Sequence, residues 1–571
     1  MLPLLEKSKS FFLKLSFKRL ISGFLGLGLR DKIIFSFLII AGTIGLSLFS
    51  ARFYFSNTVL IPESGGVYTE AVISFPRYVN PVIPDQNNAE EILESLVFSS
   101  LYKPDGQGGV LPDLAESMTL FEEGKVFLVS LRENIFWHDG EPLTARDVIF
   151  TLELLKNQEL QNPLADFWKE IAVEILSDKT LKFTLKKSYR FFPFYLTFRI
   201  MPEHIWKDTQ VNAFVFSEYN LKPIGSGPYK FKKIIQDKDG KVISYGLVAF
   251  DKYYAGPYLE SFNLKFFGDE AAALSAFRKK EINGLAVSLP GESSNYEMKK
   301  ILEAQVFSLL FNNSNELLKD FSIRKAINLS INKTAVLSES FPGAGSLTDS
   351  AIPLKRFSEN FKDVFDQANA KEILLDDGWQ DKDEDGFLEK RLSSKTKTVT
   401  KLELSILFHD TPGITNVAER IKTDLAAVGI SVILKPMGVN EFSSRLQTRS
   451  YQMVLLGLSS PIGKEPDLFP FWHSSQLSSP GLNFAVYENK EVDKILSYIR
   501  GTKDADINES YEELDALIKN DLPGVFLFQP QINWFVDESF HVPPVEFISD
   551  SGVRFSRVNE WYLYLKRVWK R

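Results

Sequence analysis

The chain has 571 residues, 44% hydrophobic and 24% charged, with 48 Phe, a net charge of −7 and no Cys. That length exceeds a single core and calls for several domains of about 100–200 residues each. A negative balance without a strongly basic face excludes nucleic acid as a partner, and the missing cysteine excludes disulfides, thiol nucleophiles, thiolate metal sites and a Cys-linked lipid anchor.

The first element is apolar. Ile33 to Ala51 reads IIFSFLIIAGTIGLSLFSA, 19 residues without a charge. As a helix this run is about 28 Å long, close to the hydrocarbon thickness of a bilayer. Seven cations, Lys7, Lys9, Lys14, Lys18, Arg19, Arg30 and Lys32, precede it against only Glu6 and Asp31. The flank is therefore +5 and the rest of the chain −12. The positive-inside rule makes residues 1–32 a basic cytoplasmic tail and 33–52 a transmembrane signal anchor, with everything after it outside. A cleaved signal peptide is the competing reading. Ala51 has Phe49 two positions before it and Ser50 has Leu48, so a small-x-small cleavage site is missing and the uncleaved anchor is favoured.

Residues 53–66 read as a linker ending in Gly65-Gly66. Beyond it, helical periodicity marks Ala89–Ser100, Ile323–Ser338, Val417–Val428 and Ser510–Lys519. Alternating runs mark strands at Val126–Leu131, Leu181–Leu185 and Lys401–Phe408. The mixture predicts an α/β chain with helices covering sheets.

The stretch FWHDGEPLTARDVIF, Phe136 to Phe150, joins a strand to a helix. His138-Asp139-Gly140 is turn chemistry. Thr144 suits a helix N-cap, with Asp147 three residues on able to reach back to it. Val148, Ile149, Leu152 and Leu155 then form an apolar stripe. Local structure accounts for these residues, which makes a catalytic His138–Asp139 pair the weaker reading.

The same region carries a resemblance. Pro112 to Lys156, PDLAESMTLFEEGKVFLVSLRENIFWHDGEPLTARDVIFTLELLK, resembles the signature segment of the family 5 extracellular solute-binding proteins, the peptide- and nickel-type receptors of ABC importers. Further matches follow in the family's order: Ile224-Gly225-Ser226-Gly227-Pro228-Tyr229, Ala273–Asn283, Ser322–Lys333, Gly378–Leu388, Asn483–Asp493 and Leu522-Pro523. Together they cover about residues 66–565. The resemblance implies a two-lobed, type II periplasmic-binding-protein-like fold with an extra subdomain. The expected division is lobe I at 66–107, 223–308 and 529–571, the extra subdomain at 108–222, and lobe II at 309–528. Hinges are expected near 305–314 and 520–534. The implied function is capture of an oligopeptide or other small solute in the interlobe cleft and delivery to ABC permease subunits. A monomeric ectodomain is expected, with no enzyme activity, cofactor or metal.

One departure bears on the ligand. Peptide-binding members hold the free amino terminus with an Asp shortly after a hydrophobic strand. Here the matching strand, Tyr451–Leu458, leads into Ser459-Ser460-Pro461-Ile462-Gly463, and the next Asp is Asp467. An unpaired buried ammonium costs several kcal/mol, so either the ligand lacks that amine or another acid reaches it. The expected ligand-binding residues are Tyr78, Asn80, Ser459, Ser460, Trp472, His473, Asn483 and Phe484. Two other motifs are set aside. Asp381 to Gly386 imitates the start of a calcium loop, but Leu392 stands where the bidentate Glu belongs, so a solvated turn is favoured. The five His form no HExxH, and neither a G-x-S-x-G nor a P-loop pattern occurs. A surface-anchored hydrolase on a similar scaffold and a non-transporting ligand sensor remain the alternatives.

Overall fold

The computed structural model describes residues 23–84, 86–287, 296–391, 399–460, 465–502 and 506–570. They form two units, Ser64–Leu563 and the two chain segments flanking it.

A 13-stranded mixed sheet organises the larger unit. At one end Tyr229–Gln236, Val242–Ala249 and Ser261–Phe266 run antiparallel, Val67–Val72 lies parallel to the last of them, and Gly284–Val287 follows. At the other end lie Ser431–Met437, Glu403–His409, Met453–Ser459 and Gln305–Phe311. A single strand, Gly524–Asp537, belongs to both halves. Gly524–Phe528 pairs with Gln305–Phe311, whereas Gln531–Asp537 pairs with Tyr296–Glu303. The two halves therefore meet at Ala304 on one strand and at Gln529-Pro530 on the other. Pro530 has no N–H to give a ladder, which suits a junction. The buried Gln529 fastens it: its Nε2 donates to the carbonyls of Glu303 (3.0 Å) and Pro353 (3.3 Å), and its Oε1 accepts from Ser358 Oγ (3.0 Å). This crossing touches the first expected hinge and falls inside the second.

Each half has its own apolar core. One gathers Tyr68, Tyr245, Phe262, Trp534, Phe555 and Trp561, the other Phe307, Leu309, Ile327, Ile406, Ile421 and Leu527. A separate four-stranded antiparallel sheet, in the spatial order Ala115–Phe121, Val126–Leu131, Thr180–Thr184, Ala172–Ser177, packs Phe127, Phe183, Trp137 and Trp168 into a third core. The fold is thus α/β and two-lobed, with an added subdomain. The expected helix Ile323–Ser338 is two helices, Phe321–Ser330 and Lys333–Ser340. Asn332 separates them, because its Oδ1 caps the second helix at Ala335 N and its own N–H goes to Asp424.

The smaller unit holds the apolar helix Leu29–Asn57, long enough to cross a membrane and with no buried residue. It outruns the expected 33–52 span. Helix continues until Thr58, whose hydroxyl donates back to the Tyr54 carbonyl (2.7 Å). The expected linker is largely structured: Thr58–Glu63 is a strand, paired antiparallel with Tyr564–Trp569.

Candidate functional site

The opening motif is a clasp. Thr144 and Asp147 form the expected capping box, with Asp147 Oδ2 accepting from Thr144 N at 2.9 Å. His138 reaches the glycine-rich turn at Gly225–Pro228. Its Nδ1 accepts from Gly225 N (3.2 Å), which leaves Nε2–H to donate to the Gly227 carbonyl (3.0 Å). That tautomer requires a neutral ring, and burial lowers the imidazole pKa to about 4. The glycines are needed because Val97 comes so close. A Cβ on Gly225 would lie 1.9 Å from the Val97 carbonyl oxygen, and Gly227 N–H donates to that oxygen at 2.8 Å. His138 therefore fixes the end of the helix Asn88–Val97, and Asp139 instead meets His204 Nε2 at 2.8 Å.

That helix walls the principal recess. Asn87 caps it: Oδ1 accepts from Ala89 N and Glu90 N, while Glu90 returns a bond to Asn87 N. Glu91 and Glu94, three residues apart, fall on one face. They line a cavity of about 410 Å³, with Phe194, Arg199, Tyr253, Ala304 and Asp550 among the other walls. A second recess, about 480 Å³, shares Glu91, Ile548, Ser549 and Asp550 with the first and adds Glu270 and Glu303. Both volumes fall within the range of small-molecule clefts, about 300–1,000 Å³.

The recesses are acidic and poorly neutralised. Glu94 Oε1 accepts from Gln86 Nε2 at 2.6 Å, but its only cationic neighbour, Arg199, stands 4.0 Å away. Burial raises the Glu94 pKa to about 8, against the pull of Arg199. Glu91 is raised too, by burial and then by Asp550, although Ser551 N donates to it at 2.9 Å. Burial likewise raises Glu303. Asp550 caps the turn Ser551–Phe555, accepting from Gly552 N at 2.9 Å, and so presents its carboxylate beside Glu91.

The eight expected ligand-binding residues lie as follows. Asn80 is buried, donates to Asn220 Oδ1 (3.1 Å) and accepts from Val82 N. Tyr78 is half-buried, its backbone N–H held by Glu90. Asn483 is buried and bonds both the N–H and the carbonyl of Tyr487. Trp472 lies in the core edge-on to Phe526 and Tyr487. His473 stacks on Phe469 at 3.9 Å, and Phe484 carries the Arg449 guanidinium over its ring. None of these lines the two recesses. Ser459 and Ser460 come nearest: Ser459 is paired with Gln305, and Ser460 N–H donates to the carbonyl of Ala304, a wall of the first recess. Residues 461–463, also expected nearby, lie outside the described residues. The recess acids Glu91, Glu94, Glu303 and Asp550 were not among those expected. The sequence held one signal for them, two acids at i and i+3 inside the apolar run AEEILESLVF.

Of the two set-aside motifs, Asp381, Asp383 and Asp385 do converge, their oxygens within 4.8 Å of one another, but all three are exposed and Lys401 pairs with Asp383 at 3.1 Å and with Asp385. Leu392 lies outside the described residues.

A binding cleft at the crossing of a two-lobed α/β fold defines a receptor rather than a catalytic centre, and the comparisons agree. The family model of the bacterial extracellular solute-binding proteins, family 5 (Middle), matches residues 109–479, and the chain belongs to that family. The oligopeptide-binding protein AppA of Bacillus subtilis is 27% identical over 507 residues, 84% of this chain and 89% of that protein. The fold is shared with AppA from B. subtilis solved in complex with a nonapeptide (TM-score 0.68, 24% identity, 88% of this chain and 100% of that one). It is shared as well with NikA from Brucella suis in complex with Fe(III)-EDTA (TM-score 0.71, 20% identity, 87% and 100%).

Proposed function

We propose that this chain is a membrane-anchored receptor of an ABC importer that takes a peptide-like solute bearing a free amine and passes it to permease subunits. The observation that carries the reading is the set of buried carboxyls, Glu91, Glu94 and Glu303, in recesses that adjoin the junction of the two halves. These acids answer the missing Asp after Ser459-Ser460. Glu303 precedes Ala304, whose carbonyl receives Ser460 N–H, so a carboxyl does stand beside that strand end. An ammonium entering such a site converts a costly buried carboxyl into an ion pair.

The mechanism is closure. The proposed lobes, 66–107 with 223–308 and 529–571 on one side and 309–528 on the other, bend at Ala304 and Gln529-Pro530. Ligand favours the closed form by whatever it gains from touching both. No bond is made or broken. Leu29–Asn57 serves as a single-pass anchor, holding a monomeric ectodomain outside the cell membrane near its transporter. The resemblance of AppA and its nonapeptide complex supports a peptide; NikA with its iron chelate keeps a chelate as the second reading.

Native mass spectrometry of the full chain with a panel of short peptides and their N-acetylated forms tests the proposal. Free-amine peptides should be retained unchanged, with acetylation weakening binding at least about tenfold and Glu303→Gln or Glu94→Gln erasing the difference. Indifference to acetylation in all three proteins would overturn the amine reading. Conversion of any peptide to product would favour the hydrolase instead.

A further inference from the structure

The helix Leu29–Asn57 does not lead into a free linker. Its end is gripped by Tyr564–Trp569, which pairs with Thr58–Glu63 and, among the described residues, with no third strand. A two-stranded ribbon is marginal in water on its own. Its side chains are also unlike those of a soluble edge. Val59, Leu60, Tyr564, Leu565 and Trp569 are each 40% to 57% exposed. They continue the exposed aromatic end of the helix, where Trp569 packs against Phe53 (6.2 Å) and Tyr54 (5.7 Å).

Cations border this apolar band. Arg567 lies 4.5 Å over the Phe55 ring and donates to Thr58 Oγ1 at 3.1 Å. Lys570 donates through Nζ to the Ser56 carbonyl (2.6 Å) and through its backbone to Asn57 (2.8 Å). Lys566, 3.7 Å from Glu63, is close to half exposed. Aromatic and apolar side chains mixed with Lys and Arg at the end of an apolar span are what the membrane–water interface selects, since each has an apolar body and a polar tip.

We propose that the ribbon Thr58–Glu63/Tyr564–Trp569 is a lipid-binding collar. It lies in the headgroup layer of the bilayer that Leu29–Asn57 crosses, with its apolar side chains at the acyl boundary and Lys566, Arg567 and Lys570 on anionic lipid phosphates. The proposal rests on the anchored reading above. The occupant is lipid rather than a second copy, because the exposed band is continuous with the spanning helix and carries cations matched to anionic headgroups.

The full chain in lipid nanodiscs provides the test. With acyl chains brominated at shallow or deep positions, the wild type and Trp569→Phe should differ by one fluorescence component, quenched more by shallow than by deep bromine. Amide exchange over 58–63 and 564–569 should slow about fivefold from phosphatidylcholine to phosphatidylglycerol discs, and Lys566→Gln/Lys570→Gln should remove that dependence. Identical quenching of wild type and Trp569→Phe, with protease protection still showing a spanning helix, overturns the collar and leaves the anchor standing. Extraction of the chain by alkaline carbonate overturns both. Protection that follows protein concentration and not lipid charge assigns the ribbon to a second copy and overturns the lipid proposal.

Discussion

Asp381, Asp383 and Asp385 in one loop, and Glu91, Glu94 and Asp550 around the recess, are two clusters of the same chemistry in different media. The loop cluster is conspicuous in sequence and inert in structure. It is open to water, Lys401 closes on two of its members, and bonding to that lysine holds Asp385 below the usual carboxylate range. The recess cluster is scattered over 460 positions of sequence, and at Glu91 and Glu94 burial outweighs what few donors are present. Spacing along the chain identifies acids that can meet, but solvation decides whether meeting stores any free energy.

The contrast is sharpest in the pH dependence of stability. The Glu94 pKa stands above its unfolded value, so the folded chain holds a proton that the unfolded chain gives up from about pH 4.5. Stability should therefore fall as pH climbs toward 8, by about 3–4 kcal/mol between pH 5 and 8. Glu94→Gln should abolish that fall in urea denaturation; an unchanged slope would show the carboxyl to be solvated after all.

His138 provides the opposite sign. Its pKa is depressed to about 4, so its contribution is complete above pH 6.5 and is lost on acidification toward 4. The loss is about 3 kcal/mol. In the wild type these two groups oppose each other from about pH 4.5 to 6.5. Glu94→Gln should thus move the sensitive limb from the alkaline to the acid side, and a variant that stays flat down to pH 4 would contradict the neutral clasp. The smallest effect belongs to the exposed loop. Lys401→Met should leave the thermal midpoint unchanged, and millimolar calcium should leave it unchanged in both proteins. A calcium-dependent rise would place the two clusters in one class.

What the sequence disclosed was local. Thr144 and Asp147 announce their own helix start, and Val126–Leu131 and Glu403–His409 show their strand alternation. The glycine-rich turn was recognisable as a motif, though not as the partner of His138, because Val97 and Gly225 are brought together only by tertiary packing. Asn80, Trp472 and Asn483 have residue types that suit a pocket equally well as a core, and their burial depends on neighbours distant in sequence. Glu91 and Glu94 were hidden for the same reason: a helix shows its periodicity without showing what faces it.

Gly524–Asp537 donates backbone bonds to both lobes along one uninterrupted length, so neither lobe possesses a complete sheet without it. Heat should accordingly melt Ser64–Leu563 in a single calorimetric peak rather than lobe by lobe, and a receptor built this way opens by flexing a shared spine, never by parting two independent bodies.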